Sequence, residues 1–134
     1  MSPRPFQVLG LDHIVLRVAN LADSLIFYCE LLGGTLEREL PDLGLYQVRL
    51  SQHLIDLVPI GSKLGGDGVL SQSARNLEHF CLLLDVFDEK ELADFLEAAG
   101  LAGSTVATRY GAGGYGPSLY ISDPDGNTVE LKGG

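Results

Sequence analysis

The chain contains two similar stretches, LDHIVLRV at Leu11–Val18 and LEHFCLLL at Leu77–Leu84. Aligning them places His13 on His79, 66 residues further along, and an acidic residue precedes each histidine. Both stretches are short and mostly apolar, which favours buried strands. Because the spacing is about half of the 134-residue chain, we interpret the pattern as two copies of one module and not as a solenoid.

A second pair of matches lies near the end of each copy. LYQV at Leu45–Val48 aligns with LYIS at Leu119–Ser122, 74 residues later, and IDL at Ile55–Leu57 aligns with VEL at Val129–Leu131 at the same separation. The increase from 66 to 74 indicates an insertion of eight residues in the second copy. We expect the insertion in the glycine-rich stretch Arg109–Gly116.

Each copy is predicted to form a strand, a helix and three further strands. Asn20 and Asp88 are candidate caps for the two helices. The second helix, Asp88–Ala99, is predicted to place four residues on its inner face: Leu92, Phe95, Leu96 and Ala99. The predicted fold class is therefore α+β, with two βαβββ modules. We expect a single domain, residues 1–134, with modules at about 11–60 and 77–132 joined by the linker 61–76.

Composition excludes several classes of protein. Hydrophobic residues make up 46% and charged residues 20% of the chain, values typical of a folded globular domain. No apolar run is long enough for a membrane span, so no membrane partner is expected. Nine basic against 18 acidic residues give a formal net charge of −9, which argues against nucleic acid. The absence of a signal-like N-terminus and of CxxC spacing predicts a cytoplasmic protein with free thiols.

The repeat also pairs candidate site residues. His13 corresponds to His79, and Asp56 corresponds to Glu130, each acid between apolar neighbours. A buried unpaired carboxylate is costly, and a divalent metal would compensate it. A single strand histidine is more often a core or rim residue, and a single strand acid usually faces solvent. The repetition of both favours a metal site over remnants of a duplication, with Zn, Ni, Co, Mn or Fe(II) more suitable than Ca.

These segments, together with SLYISDPDGNTVEL near the C-terminus, resemble the vicinal oxygen chelate superfamily. It includes glyoxalases, fosfomycin-resistance proteins, extradiol dioxygenases and methylmalonyl-CoA epimerases. The resemblance extends over Leu11–Lys132 and implies paired βαβββ modules whose curved mixed sheets enclose a metal cleft. It implies four metal ligands: His13, Asp56, His79 and Glu130. It also implies one divalent metal per site, no organic cofactor, a small-molecule substrate and a homodimer, whose modules pair within one chain or between two.

No individual member of the superfamily matches well. Asp56 occupies a position where the epimerases usually have Gln, and Val15 one where fosfomycin thiol transferases usually have Thr. Tyr120 matches a tyrosine that lines the cleft of fosfomycin-resistance relatives, so it is either a catalytic residue or a packing residue. We assign Tyr46 as its counterpart in the first copy. The stretch Arg109–Gly116 is interpreted as a lid, an anion clamp or a simple hairpin.

The expected function is that of a metal-dependent, glyoxalase-like enzyme with lyase or isomerase chemistry on a substrate with vicinal oxygens. Glu130 is the first candidate for the catalytic base and Asp56 the second. One alternative is an Fe(II)-dependent dioxygenase that uses His13, His79 and Glu130 as ligands. Another is a non-catalytic protein that binds a drug or a metabolite.

Overall fold

Two mixed four-stranded sheets are present in a computed structural model that describes residues 4–68, 70 and 77–134. The chain divides into two compact units, Met1–Val69 and Leu70–Gly134, with one sheet in each. In chain order the strands and helices are β1 (His13–Val18), α1 (Leu21–Leu25), β2 (Thr35–Leu40), β3 (Leu45–Leu50), β4 (His53–Pro59), β5 (His79–Leu84), α2 (Glu89–Ala98), β6 (Ala107–Gly111), β7 (Gly114–Ser122) and β8 (Thr128–Gly133).

The predicted fold class is confirmed, because each unit has the order β, α, β, β, β. The single-domain assignment stays a prediction. Within the predicted linker, residues 69 and 71–76 lie outside the described residues. No helix in the described ranges is long and apolar enough to cross a membrane.

The sheet of the first unit has the strand order β1-β4-β3-β2. β1 runs parallel to β4, and the other neighbours are antiparallel. Asn20 caps α1 as predicted, since its side chain accepts a hydrogen bond from the Asp23 backbone N–H at 3.0 Å. The helix then changes to π-helical geometry over Ile26–Leu31, where the Leu32 N–H donates to the Phe27 carbonyl at 3.1 Å.

The second unit repeats this arrangement with the order β5-β8-β7-β6. Asp88 caps α2 by accepting from the Glu91 N–H. Leu96 is buried, but Phe95 is 53% exposed and Ala99 is also exposed, so the predicted place of these two residues on the inner face is wrong. Neighbouring helix residues point about 100° apart, and this short helix fully buries only Leu96.

Strand pairing corrects one detail of the repeat. Gln47 pairs with Asp56 across β3 and β4, and Tyr120 pairs with Glu130 across β7 and β8. The structural counterpart of Tyr120 is therefore Gln47, and the assignment of Tyr46 is wrong by one residue. The cause is that nine residues separate the paired Tyr120 and Glu130, whereas eight separate the paired Gln47 and Asp56. The glycine-rich insertion forms the end of the β6–β7 hairpin, as one of the three interpretations predicted.

Candidate functional site

The first candidate pair lies on the neighbouring parallel strands β1 and β4. Asp56 is only 4% exposed, and its Oδ2 is 3.9 Å from Nε2 of the partly exposed His13. The other ring nitrogen of His13, Nδ1, donates to the Asp12 carboxylate at 2.7 Å. This hydrogen bond is the main reason why the pKa of His13 is raised above its ordinary value; desolvation opposes it, and the negative charges of Asp56 and Asp12 add to it.

The carboxylate of Asp56 is held by a second contact. The Gln47 side-chain amide donates from Nε2 to Asp56 Oδ1 at 3.1 Å. Its side-chain oxygen, Oε1, accepts a hydrogen bond from Arg38 Nη1 at 3.3 Å. One oxygen of Asp56 is thus occupied by an amide donor, while the other faces His13. Sequence reasoning missed Gln47 and Arg38, because the second copy has no glutamine at the equivalent position.

The second candidate pair has the same construction on β5 and β8. Glu130 is 7% exposed, and its Oε1 is 3.2 Å from His79 Nε2. The Nδ1 atom of His79 is hydrogen-bonded to the carboxylate of Glu78. Glu130 has this close contact with His79, but among the described residues no side-chain N–H group donates a hydrogen bond to its carboxylate, in contrast to Asp56. The two carboxylates therefore differ in how tightly their oxygens are held.

Aromatic and basic side chains extend the second pair along the sheet. The Tyr120 ring packs edge-to-face against His79, with ring centroids 5.5 Å apart and an interplanar angle of 81°. The Arg109 guanidinium lies on the face of the Tyr120 ring, with its Cζ 4.5 Å from the ring centroid.

Cys81 is a free thiol paired in register with Glu130. Burial is the main factor that raises the pKa of Cys81; the Glu130 charge adds to it and Lys132 opposes it.

The structure brings the predicted ligands together as two pairs, one in each unit. Within neither unit do the described residues gather three or more His, Cys, Asp or Glu groups as a metal cluster. The donors suit a divalent transition metal, because a carboxylate bound at Nδ1 leaves Nε2 of each imidazole available as a ligand. His53 is exposed at the start of β4 and belongs to neither pair.

The two sheets and their strand order define a fold shared with many solved structures. VPC_CASS1, from the mobile metagenome of V. Pseudocholerae, is 26% identical and covers 96% of each chain with a TM-score of 0.77. Lactoylglutathione lyase from Agrobacterium tumefaciens is similar in fold, with 23% identity, 96% coverage of each chain and a TM-score of 0.69. Among curated proteins, Virulence protein STM3117 of Salmonella typhimurium is 25% identical over 127 residues, which are 91% of this chain and 82% of that protein.

A family model, Glyoxalase/Bleomycin resistance protein/Dioxygenase superfamily, matches residues 10–131. The chain belongs to this superfamily, as its resemblance to vicinal oxygen chelate proteins predicted.

Proposed function

We propose that this protein is a metal-dependent enzyme that catalyses lyase or isomerase chemistry on a small molecule with two adjacent oxygens. The observation that supports the proposal is the repeated unit of an acid, a histidine and a buried strand carboxylate. In both copies the histidine Nδ1 is bound to the preceding acid and Nε2 faces the strand carboxylate. Structural ion pairs alone do not require the same ring orientation to occur twice.

The proposed ligands of one divalent metal are His13, Asp56, His79 and Glu130. Two carboxylates balance the charge of a dication, and two neutral imidazoles complete a mixed nitrogen and oxygen set. Asp12 and Glu78 act on the metal through the histidines, because a carboxylate at Nδ1 fixes the tautomer and increases the basicity of Nε2. When bound, the metal supplies Lewis acidity that polarises the two substrate oxygens.

Glu130 is the proposed catalytic base. Its carboxylate is oriented less tightly than that of Asp56, whose Oδ1 accepts from Gln47. Glu130 would accept a proton from the hydroxyl-bearing carbon beside a carbonyl group and return it to the carbonyl carbon, while the hydroxyl proton moves to the former carbonyl oxygen. The result is an isomerisation with no external oxidant or reductant. Tyr120 packs against His79 and is the candidate donor of a hydrogen bond to a substrate oxygen.

Solvent deuterium exchange tests this chemistry without knowledge of the natural substrate. Protein loaded with Zn²⁺, Ni²⁺ or Mn²⁺ is mixed in D₂O with simple α-hydroxyketones such as dihydroxyacetone, and deuterium at carbon is followed by NMR. We expect faster exchange with the native protein and at least a roughly 100-fold slower rate with Glu130→Gln, the loss typical of a removed general base. His53→Ala, outside both pairs, is the matched control. Equal rates for native protein and Glu130→Gln would exclude Glu130 as the base.

The Fe(II)-dependent dioxygenase is the second candidate, and one observation favours it. Asp56 is farther from its histidine than Glu130 is, and Gln47 occupies one of its oxygens. Two histidines and Glu130 would then form the facial triad of non-haem iron oxygenases. Oxygen uptake with Fe(II)-loaded protein and a catechol, together with no deuterium exchange, would favour this candidate over the isomerase.

A further inference from the structure

Arg109 is fixed in an orientation that leaves one edge of its guanidinium unused. Its Nη1 donates to the backbone carbonyl of Ser118 at 2.8 Å and to the Ser118 hydroxyl at 2.9 Å. Its plane is further held by the Tyr120 ring, 4.5 Å from Cζ. Among the described residues, no group accepts a hydrogen bond from Nε or Nη2 of Arg109. These two atoms form the edge with which arginine binds a carboxylate or phosphate through two parallel hydrogen bonds.

A second positive charge lies on the same part of the sheet. Lys132 pairs in register with Ser118 and is 4% exposed, and its ammonium group donates to the Gly133 carbonyl at 3.1 Å. Its side chain runs beside Gly111 and Gly116, where a Cβ atom would lie within 3.2 and 3.1 Å of it, respectively. The glycines of the hairpin therefore provide room for this lysine.

Neither cation forms an ion pair among the residues that the structure describes. In the described part of the chain, no carboxylate oxygen lies within 4.0 Å of a side-chain nitrogen of Arg109 or Lys132, although the chain has a formal charge of −9. Elsewhere Lys90 pairs with Asp94, and Arg49 pairs with Glu37. A buried cation without a counter-charge is costly, and a bound anion would compensate it.

We propose that Arg109 binds an anionic group of the substrate through its Nε and Nη2 atoms, with Lys132 adding positive charge behind it. The substrate class is then a small molecule with a carboxylate or a phosphate-type group in addition to its vicinal oxygens. This inference deepens the proposed function, on which it rests: Tyr120 contacts both Arg109 and His79, so the anionic group would lie one aromatic ring away from the proposed metal ligands.

The test uses metal-free protein and two simple anions. Inorganic phosphate and, separately, acetate are titrated into the full chain, and the Arg109 Nε–H resonance is followed by ¹H–¹⁵N NMR. We expect a saturable shift of this resonance with at least one of the anions; the anion that causes it identifies the oxyanion type. The Ser118 backbone N–H resonance reports binding to variants that lack Arg109. Because no metal and no turnover are involved, the result is readable even if the metal proposal fails.

Three variants and one control make the test specific. Arg109→Gln should weaken binding by at least about tenfold, the loss typical of a charge-assisted hydrogen bond. Arg109→Lys keeps the charge without the two-pronged edge, so its affinity should fall between those of native protein and Arg109→Gln. Lys132→Met should cause a smaller loss. Lys90→Met removes an equal charge from an exposed position and should leave binding unchanged. The absence of a saturable shift with both anions, or equal losses for Arg109→Gln and Lys90→Met, would overturn the proposal.

Discussion

The Nε2 atom of His79 lies 3.2 Å from Oε1 of Glu130, across the neighbouring strands β5 and β8. The equivalent contact in the first unit is longer, 3.9 Å, and its carboxylate is also hydrogen-bonded by Gln47. Two pairs with the same strand geometry thus differ in the freedom of their carboxylates. On this difference rests our proposal of separate roles for two residues that the sequence repeat treats as equivalent.

Asp56→Asn is expected to weaken Zn²⁺ binding, because it removes a negative charge from the proposed ligand set while keeping the size of the side chain. Calorimetry with metal-free protein measures the affinity. If Asp56 served only the packing and hydrogen bonding of its strand, the change would leave metal binding intact. Unchanged affinity would reduce the ligand set to His13, His79 and Glu130, as the dioxygenase candidate requires.

Gln47→Leu is expected to lower metal affinity by about tenfold without a large loss of stability. The amide of Gln47 orients Asp56, and losing a residue that orients a ligand typically costs 10- to 100-fold in affinity. Arg38→Gln, one contact further from Asp56, should have a much smaller effect. Equal affinities of native protein and Gln47→Leu would show that this hydrogen bond does not contribute to the site.

Gly34→Ala should destabilise the first unit by about 1–3 kcal/mol, the usual cost of overpacking. A Cβ at this position would lie 2.6 Å from both the Tyr28 carbonyl oxygen and the Val48 side chain. Gly113→Ala in the hairpin turn meets no atom within 4 Å and is the control. Urea unfolding compares the two variants, and equal midpoints would contradict the predicted close contact.

The protein is predicted to be a homodimer in solution, since closed two-fold pairs are the commonest oligomers and its superfamily resemblance implies one. Light scattering at micromolar concentration should give twice the mass of 14.3 kDa. A monomer mass at that concentration would contradict the prediction.

Much of the fold was predictable because the helix-capping residues and the sequence repeat indicate the same order of strands and helices in both copies. The caps Asn20 and Asp88 form as expected, and each unit has the predicted order of a strand, a helix and three strands. In contrast, the exposure of Phe95 depends on how little of α2 packs on the sheet, which helical periodicity does not reveal.

The site was predictable only in its repeated parts. The acids before His13 and His79 are visible in the aligned copies, whereas Gln47 has no glutamine counterpart, because Tyr120 replaces it. The shared tyrosine of LYQV and LYIS suggested the wrong alignment, because the second copy has one more residue between the paired positions than the first. A shift of one residue in a strand moves every side chain to the opposite face.

Metal stoichiometry measured on purified, untagged protein tests the central claim most directly. Metal-free protein is titrated with Zn²⁺ or Ni²⁺ by calorimetry, and bound metal is counted by elemental analysis after removal of excess. We predict close to one metal per chain, loss of most affinity in His79→Ala, unchanged binding in His53→Ala, and a melting temperature that rises with added metal in native protein. Equal metal binding by native protein and His79→Ala, or no bound metal in either, would contradict the account.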